Sequence, residues 1–117
     1  MAARDFVKFA SFENLNGGIV GQWSGLLNGD TANPIQVPLY ADKSVSVEGT
    51  FGTATVNIRG SIDGVNYYTL NDPQGNALTF ASGTKRIEAI LENVAYIQPV
   101  IATPDGTTNL QINLIAR

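Results

Sequence analysis

The chain has 117 residues, 44% of them apolar and only 15% charged, which suits one domain with one core and excludes a disordered, charge-rich polypeptide. Its net charge of −3 and the scatter of its seven lysines and arginines supply no basic cluster of the kind nucleic acid binding needs. Histidine and cysteine are both absent, so a Ser-His-Asp relay, a thiol nucleophile, a disulfide and an imidazole or thiolate metal site are all excluded.

The N-terminal MAARDFVKF lacks the apolar stretch of a signal peptide, and no apolar run approaches the ~20 residues of a membrane helix. Together with the missing cysteines, this fits synthesis in a reducing cytoplasm. In ARDFVKFASF, Phe6, Phe9 and Phe12 stand three apart, a step that suits neither strand alternation nor a full helical stripe. Residues 1–14 are therefore read either as an apolar arm that orders against a neighbouring subunit or as an ordinary first strand, and residues 15–117 as one domain.

Beyond the arm the period is two. Ile19 to Trp23 and Ile35 to Tyr40 are short strand candidates. Val45 and Val47 alternate with Ser44, Ser46 and Glu48. Ala54, Val56 and Ile58 alternate with Thr55, Asn57 and Arg59. Val65 to Leu70, Lys85 to Leu91 and Tyr96 to Ala102 follow. Leu110, Ile112, Leu114 and Ala116 close the chain with polar or outward partners between them. Ile87, Ile90 and Leu91 also fit a helical stripe, but Gly83 and Pro99 bracket a short segment among strands, which favours a strand.

Turns punctuate these strands. Asp63-Gly64 predicts a type I′ hairpin, Pro73-Gln74-Gly75-Asn76 a β-turn, and Pro104-Asp105-Gly106 another. Pro34, Pro38 and Pro99 cannot donate to a ladder and predict edges or bulges. The expected fold is all-β: a jelly-roll-like antiparallel β-sandwich of about eight or nine short strands.

Candidate chemistry is sparse. Asp63, Asp72, Glu88, Glu92 and Asp105 could supply a glycosidic acid–base pair, but three of them lie in or beside turns, where aspartate bonds backbone N–H groups. Asp63, Asn66, Asn71, Asp72 and Asn76 could offer oxygens to calcium, yet they lack EF-hand order and read rather as solvated loop residues. GGIVG at residues 17–21 lacks the Gly-Lys-Ser/Thr ending of a phosphate loop. The expectation is no catalytic residue, no cofactor, no metal and no small-molecule substrate.

The aromatics are the remaining lead. Tyr67 and Tyr68 are neighbours, so on a strand they face opposite sides, one toward the core and one toward solvent or a partner. Tyr96 lies in a strand candidate. Trp23, set among glycines, could stack on a sugar or anchor a contact, or belong to the core. Phe6, Phe9, Phe12, Trp23, Tyr67, Tyr68 and Tyr96 are thus the interface candidates, and Asp63, Gly64, Pro73, Gly75, Asp105 and Gly106 the turn-forming residues.

Three segments carry a resemblance. GSIDGVNYYTLNDPQGNALTF, then ENVAYIQP, then the closing LIAR resemble a group of small tailed-bacteriophage virion proteins. The matching residues are Gly60, Ser61, Asp63, Gly64, Asn66 and Tyr67; Asp72 to Thr79; Glu92, Asn93, Tyr96, Ile97 and Pro99; and Leu114 to Arg117. Residues 1–50 share only the texture of strands and turns. The resemblance implies a capsid decoration or cement protein on the virion exterior, bound to the major capsid protein as a homodimer or homotrimer. A tail or head-completion part is the neighbouring possibility. A shorter match, Ser-x-Asp-Gly-x-x-Tyr-x-x-Leu followed by Arg-Ile-Glu, is similar to galactose-binding-like jelly rolls and implies a carbohydrate-binding module instead.

Overall fold

The computed structural model describes residues 2–83 and 86–117. In chain order the strands are β1 Ala3–Arg4, β2 Val7–Lys8, β3 Ile19–Leu27, β4 Thr31–Ala32, β5 Ile35–Gln36, β6 Lys43–Thr50, β7 Thr55–Ser61, β8 Tyr68–Thr69, β9 Thr79–Phe80, β10 Ile87–Ala89, β11 Tyr96–Ala102 and β12 Asn109–Ala116. A 310 turn, Ala10–Phe12, follows β2.

Two antiparallel sheets face each other. One has the order β10-β6-β12-β3-β2; the other has β5-β11-β7-β8, with β9 also on β7. After β3 the chain crosses to β5, returns for β6, crosses for β7, β8 and β9, returns for β10, crosses for β11 and returns for β12. That alternation is the jelly-roll order. The period-two pattern explains why the layers form. Val45, Val47, Ile112 and Leu114 of the first sheet and Val56, Ile58 and Ile97 of the second are buried, as are Leu78 and Phe80. Residues 87–89 are extended, as the bracketing glycine and proline predict; Lys85, where that segment was expected to begin, lies outside the described residues.

β3 runs on to Leu27, four residues beyond its predicted end. Leu110 and Ile112 of β12 oppose Leu26 and Trp23, so β3 carries an extra residue as a bulge around Ser24-Gly25. Gly25 takes φ +65 there, a conformation that favours glycine. The bulge breaks the alternation and hides the end of the strand from a sequence reading.

The N-terminal residues pack on their own chain. β1 runs parallel to β4, and β2 adds to the edge of β3. Phe6 lies edge-on to Trp23, with ring centroids 5.0 Å apart. Gly21 makes this crossing possible: a Cβ there would sit 2.3 Å from the Val7 carbonyl oxygen and 2.7 Å from the Phe6 ring.

Trp23 requires a correction as an interface candidate. It is fully buried, and its Nε1–H donates to the Asn33 carbonyl at 2.8 Å. Ile19, Gly21 and Trp23 share the inward face of β3, and the glycine at the middle position masks that parity. Asp63-Gly64 likewise does not form a two-residue hairpin. β7 and β8 pair through Gly60 and Tyr68, which leaves a longer connection, residues 62–67, between the strands. Pro99 stands in β11 beyond the point where β5 stops pairing with it, so its missing N–H costs no ladder bond on that side. The second turn begins one residue early: the Gly75 N–H donates to the Asp72 carbonyl at 2.9 Å, with Pro73 at the second position.

Candidate docking surface

The connection between β7 and β8 is organised around one carboxylate. Asp63 Oδ1 accepts from the Val65 N–H (2.8 Å), the Asn66 N–H (2.8 Å) and the Ser61 hydroxyl (2.9 Å). Oδ2 accepts from the Asn66 amide at 2.8 Å. The Gly64 N–H donates to Ser61 Oγ at 2.8 Å. The N–H groups of Asn66 and Val65, with the Asn66 and Ser61 side chains, hold the Asp63 carboxyl far below its ordinary pKa. This is a side-chain-locked turn, and it absorbs the polar capacity of the loop.

Three tyrosines gather beside it. A Cβ on Gly64 (φ +81) would lie 3.1 Å from the Tyr96 ring, so the loop backbone rests on that ring. The Tyr96 hydroxyl accepts from Gln36 Nε2 at 2.9 Å. Tyr67 is half-buried, not in the core. Its carbonyl accepts from Arg59 Nη2 at 2.6 Å, and burial, followed by Tyr96 and Asp63, raises its phenol pKa. Tyr68 is 71% exposed.

Asp63 and Asn66 are exposed but make their bonds within the loop, and the loop presents apolar side chains beside them. Ile62 is 79% and Val65 78% exposed, and Ile62 and Tyr68 line a groove of about 500 Å³ together with Leu70 and Val94. The far wall is Glu92, whose carboxylate clamps Asn71 through its N–H (2.8 Å) and its amide (2.7 Å). Exposed large apolar groups grouped on one rigid loop mark a contact surface.

The fold therefore brings Tyr67, Tyr68, Tyr96, Asp63 and Gly64 together. Phe6, Phe9 and Phe12 belong to the other sheet: the first two are half-buried along β3, and Phe12 is 42% exposed in the 310 turn. Ile62 and Val65 were not singled out in the sequence, although two large apolar residues flanking an Asp-Gly turn were a visible signal. Lys43 was missed too. It shares the inward parity of Val45 and Val47, is buried, and donates to the carbonyls of Tyr40 (3.1 Å) and Ala41 (3.2 Å). Burial lowers its pKa, partly offset by Asp42.

Of the other candidate carboxylates, Asp72, Asp105 and Glu92 accept from backbone N–H groups. Asp72 accepts from the N–H groups of Gln74 (3.0 Å) and Asn76 (2.9 Å). Asp105 accepts from Thr107 N–H (2.9 Å), the Thr107 hydroxyl (2.7 Å) and Thr53 N–H (3.1 Å), next to a turn where Thr103 takes φ +49. Gly75 (φ +89) closes the Asp72 turn, while Gly106 is exposed beside Asp105. Glu88 pairs with Arg86 at 2.9 Å. Of the five oxygen donors considered for calcium, the Asp63 and Asp72 carboxylates accept bonds from their own loops, and among the described residues no group of three or more acidic side chains is placed to hold a metal ion.

No family model matches this chain, and no curated protein does. Among solved structures, the crystal structure of the SPBc2 prophage-derived protein YomS is similar, with a TM-score of 0.59 over 87% of this chain and 96% of that one, at 7% identity. At such identity the likeness is one of fold.

Proposed function

We propose that the protein is a structural component of a bacteriophage virion that decorates and cements the capsid shell, docking on the major capsid protein through the β7–β8 loop. The observation that carries this is a loop whose polar groups are consumed internally while Ile62, Val65 and Tyr68 project from it. Burying such side chains gains about 1.5–3 kcal/mol each before association entropy is subtracted. Repetition over a symmetric shell adds avidity. The jelly-roll order, the likeness to a prophage-derived protein and the motif resemblance support the same reading.

In this role the protein works without catalysis, cofactor or small-molecule substrate. It sits on the virion exterior and occupies local symmetry axes as a homodimer or homotrimer. Attachment at the tail or head-completion site uses the same loop and differs in copy number. Sugar recognition is less well supported, because the buried Trp23 and the internally bonded Asp63 and Arg59 leave an aromatic surface poor in free polar groups.

The test is to add purified protein to expanded, procapsid-derived shells. Binding with a raised shell melting temperature, lost in Ile62→Asp, is the expected result. Unchanged shell stability and absence from purified virions would end the proposal. Hundreds of copies per virion indicate decoration, and about a dozen indicate a tail or portal position.

A further inference from the structure

The outward face of the five-stranded sheet carries no role in the loop chemistry above. Its cross-strand register aligns Ile87, Ser46, Asn113, Gln22 and Val7 in one row. The adjacent row is Ala89, Ser44, Ile115, Val20 and, by its N–H bond to the Val20 carbonyl, Phe9. Neither row contains a charge. Glu48 borders the face at one end and Arg117 at the other. Ile87 is 76% and Val7 62% exposed. A shallow groove of about 220 Å³ with largely apolar walls runs between Phe9, Ile87 and Ile115.

We infer that this face is a two-fold interface with a second copy of the chain. β12 is the middle of the five strands, so an axis lying along it superposes β10 of one copy on β2 of the other and β6 on β3. That operation sets the apolar flank of Ile87 and Ala89 against the partner's apolar flank, Val7 and Phe9. It sets the small Ser44 and Ser46 against the larger Val20 and Gln22, and Ile115 against itself. Bulk meets hollow, and none of the ten facing side chains of the two rows is charged, as a self-complementary patch requires; Arg117, just past the end of β12, meets its own copy at the rim. Three long strands about 4.8 Å apart over about five residues of about 3.4 Å rise, flanked by two strands of two or three residues, give a footprint of about 350 Å². With side-chain relief and rim, about 1,000–1,200 Å² is buried in total, the lower end for a specific interface. An interface of this size belongs to weak, concentration-dependent association. The inference takes from the proposed function only the expectation of self-association; the docking loop lies on the other sheet.

Sedimentation velocity from about 1 μM to several hundred μM tests it. The chain shifts from monomer to dimer, and Ser46→Arg or Ile115→Arg weakens the dimer at least tenfold while far-UV circular dichroism stays unchanged. Ile62→Asp leaves the dimer intact, which separates this inference from shell binding. Because the chain has no cysteine, Ile115→Cys gives one attachment point. A bismaleimide of about 10 Å span, the distance between packed sheets, cross-links it efficiently, and a Thr69→Cys control on the second sheet does not. A monomer throughout the range, a closed trimer, a dimer untouched by both arginine variants, or equal cross-linking of the two cysteine variants would overturn the inference.

Discussion

Trp23 and Tyr68 attract attention in the sequence for the same reason, a large aromatic near glycine or a turn, yet they meet opposite fates. Around Trp23 the glycines remove bulk. Gly21 lets the N-terminal strand cross over, Phe6 closes against the indole, and the Nε1–H finds a carbonyl. Around Tyr68 the Asp63 turn adds constraint, tying the Asp63 carboxylate to the Val65 and Asn66 N–H groups and leaving the apolar side chains with no interior to enter. An aromatic residue thus reports function only through the groups that surround it. Where neighbours are small, it is absorbed; where neighbours are locked, it is displayed.

The comparison is broken most directly by truncation. Trp23→Ala is expected to cost about 3–5 kcal/mol, measured as a lowered guanidinium midpoint, whereas Tyr68→Ala stays within about 0.5 kcal/mol. Equal losses would mean that Tyr68 is also a packing residue. The complementary measurement is adhesion. Tyr68→Ala with Ile62→Asp is expected to weaken shell binding at least tenfold with an unchanged melting temperature, a cost of about 1.4 kcal/mol or more in binding.

A finer cut tests whether locking matters. Gly64→Ala forces a non-glycine residue into φ +81 against the Tyr96 ring and is expected to cost about 1 kcal/mol, with a parallel loss of shell affinity. If stability falls and affinity does not, display of the apolar groups does not depend on the turn. The smallest effect per site is on acidification. Asp63, Asp72, Asp105 and Glu92 all have carboxyl pKa values held down by hydrogen bonds. Their unfolded values are near 4, so the unfolded chain takes up protons first, and their stabilisation is present above about pH 4 and lost as pH falls through the lower folded values. The urea midpoint should decline below about pH 4. Asp105→Asn should flatten that decline without touching shell binding, while Asp63→Asn should affect both.

Three of the long strands were legible because sustained alternation fits a half-buried extended chain and little else; β6, β7 and β12 are such runs. Two-residue strands such as β4 and β9 have no sequence signature, since pairing there is imposed by the neighbouring chain. The tyrosine cluster was legible residue by residue. That Tyr96 sits under Gly64 depends on a fold that joins positions more than thirty residues apart. The Gly25 bulge hid the end of β3, and the glycine at position 21 hid the parity that places Trp23 inside. Lys43 shows the reverse case: its parity with Val45 and Val47 was plain, and only the habit of placing lysine outside concealed it.

The outermost strands, β2 and β10 on one sheet and β5 and β8 on the other, are two or three residues long. Such stubs themselves offer a neighbouring polypeptide only two or three residues of main-chain ladder to extend. At high concentration this limits strand-to-strand zipping at those edges. Partner choice is left to interchangeable side groups, so an evolving or engineered version could acquire a new host surface by point changes while its scaffold stays untouched.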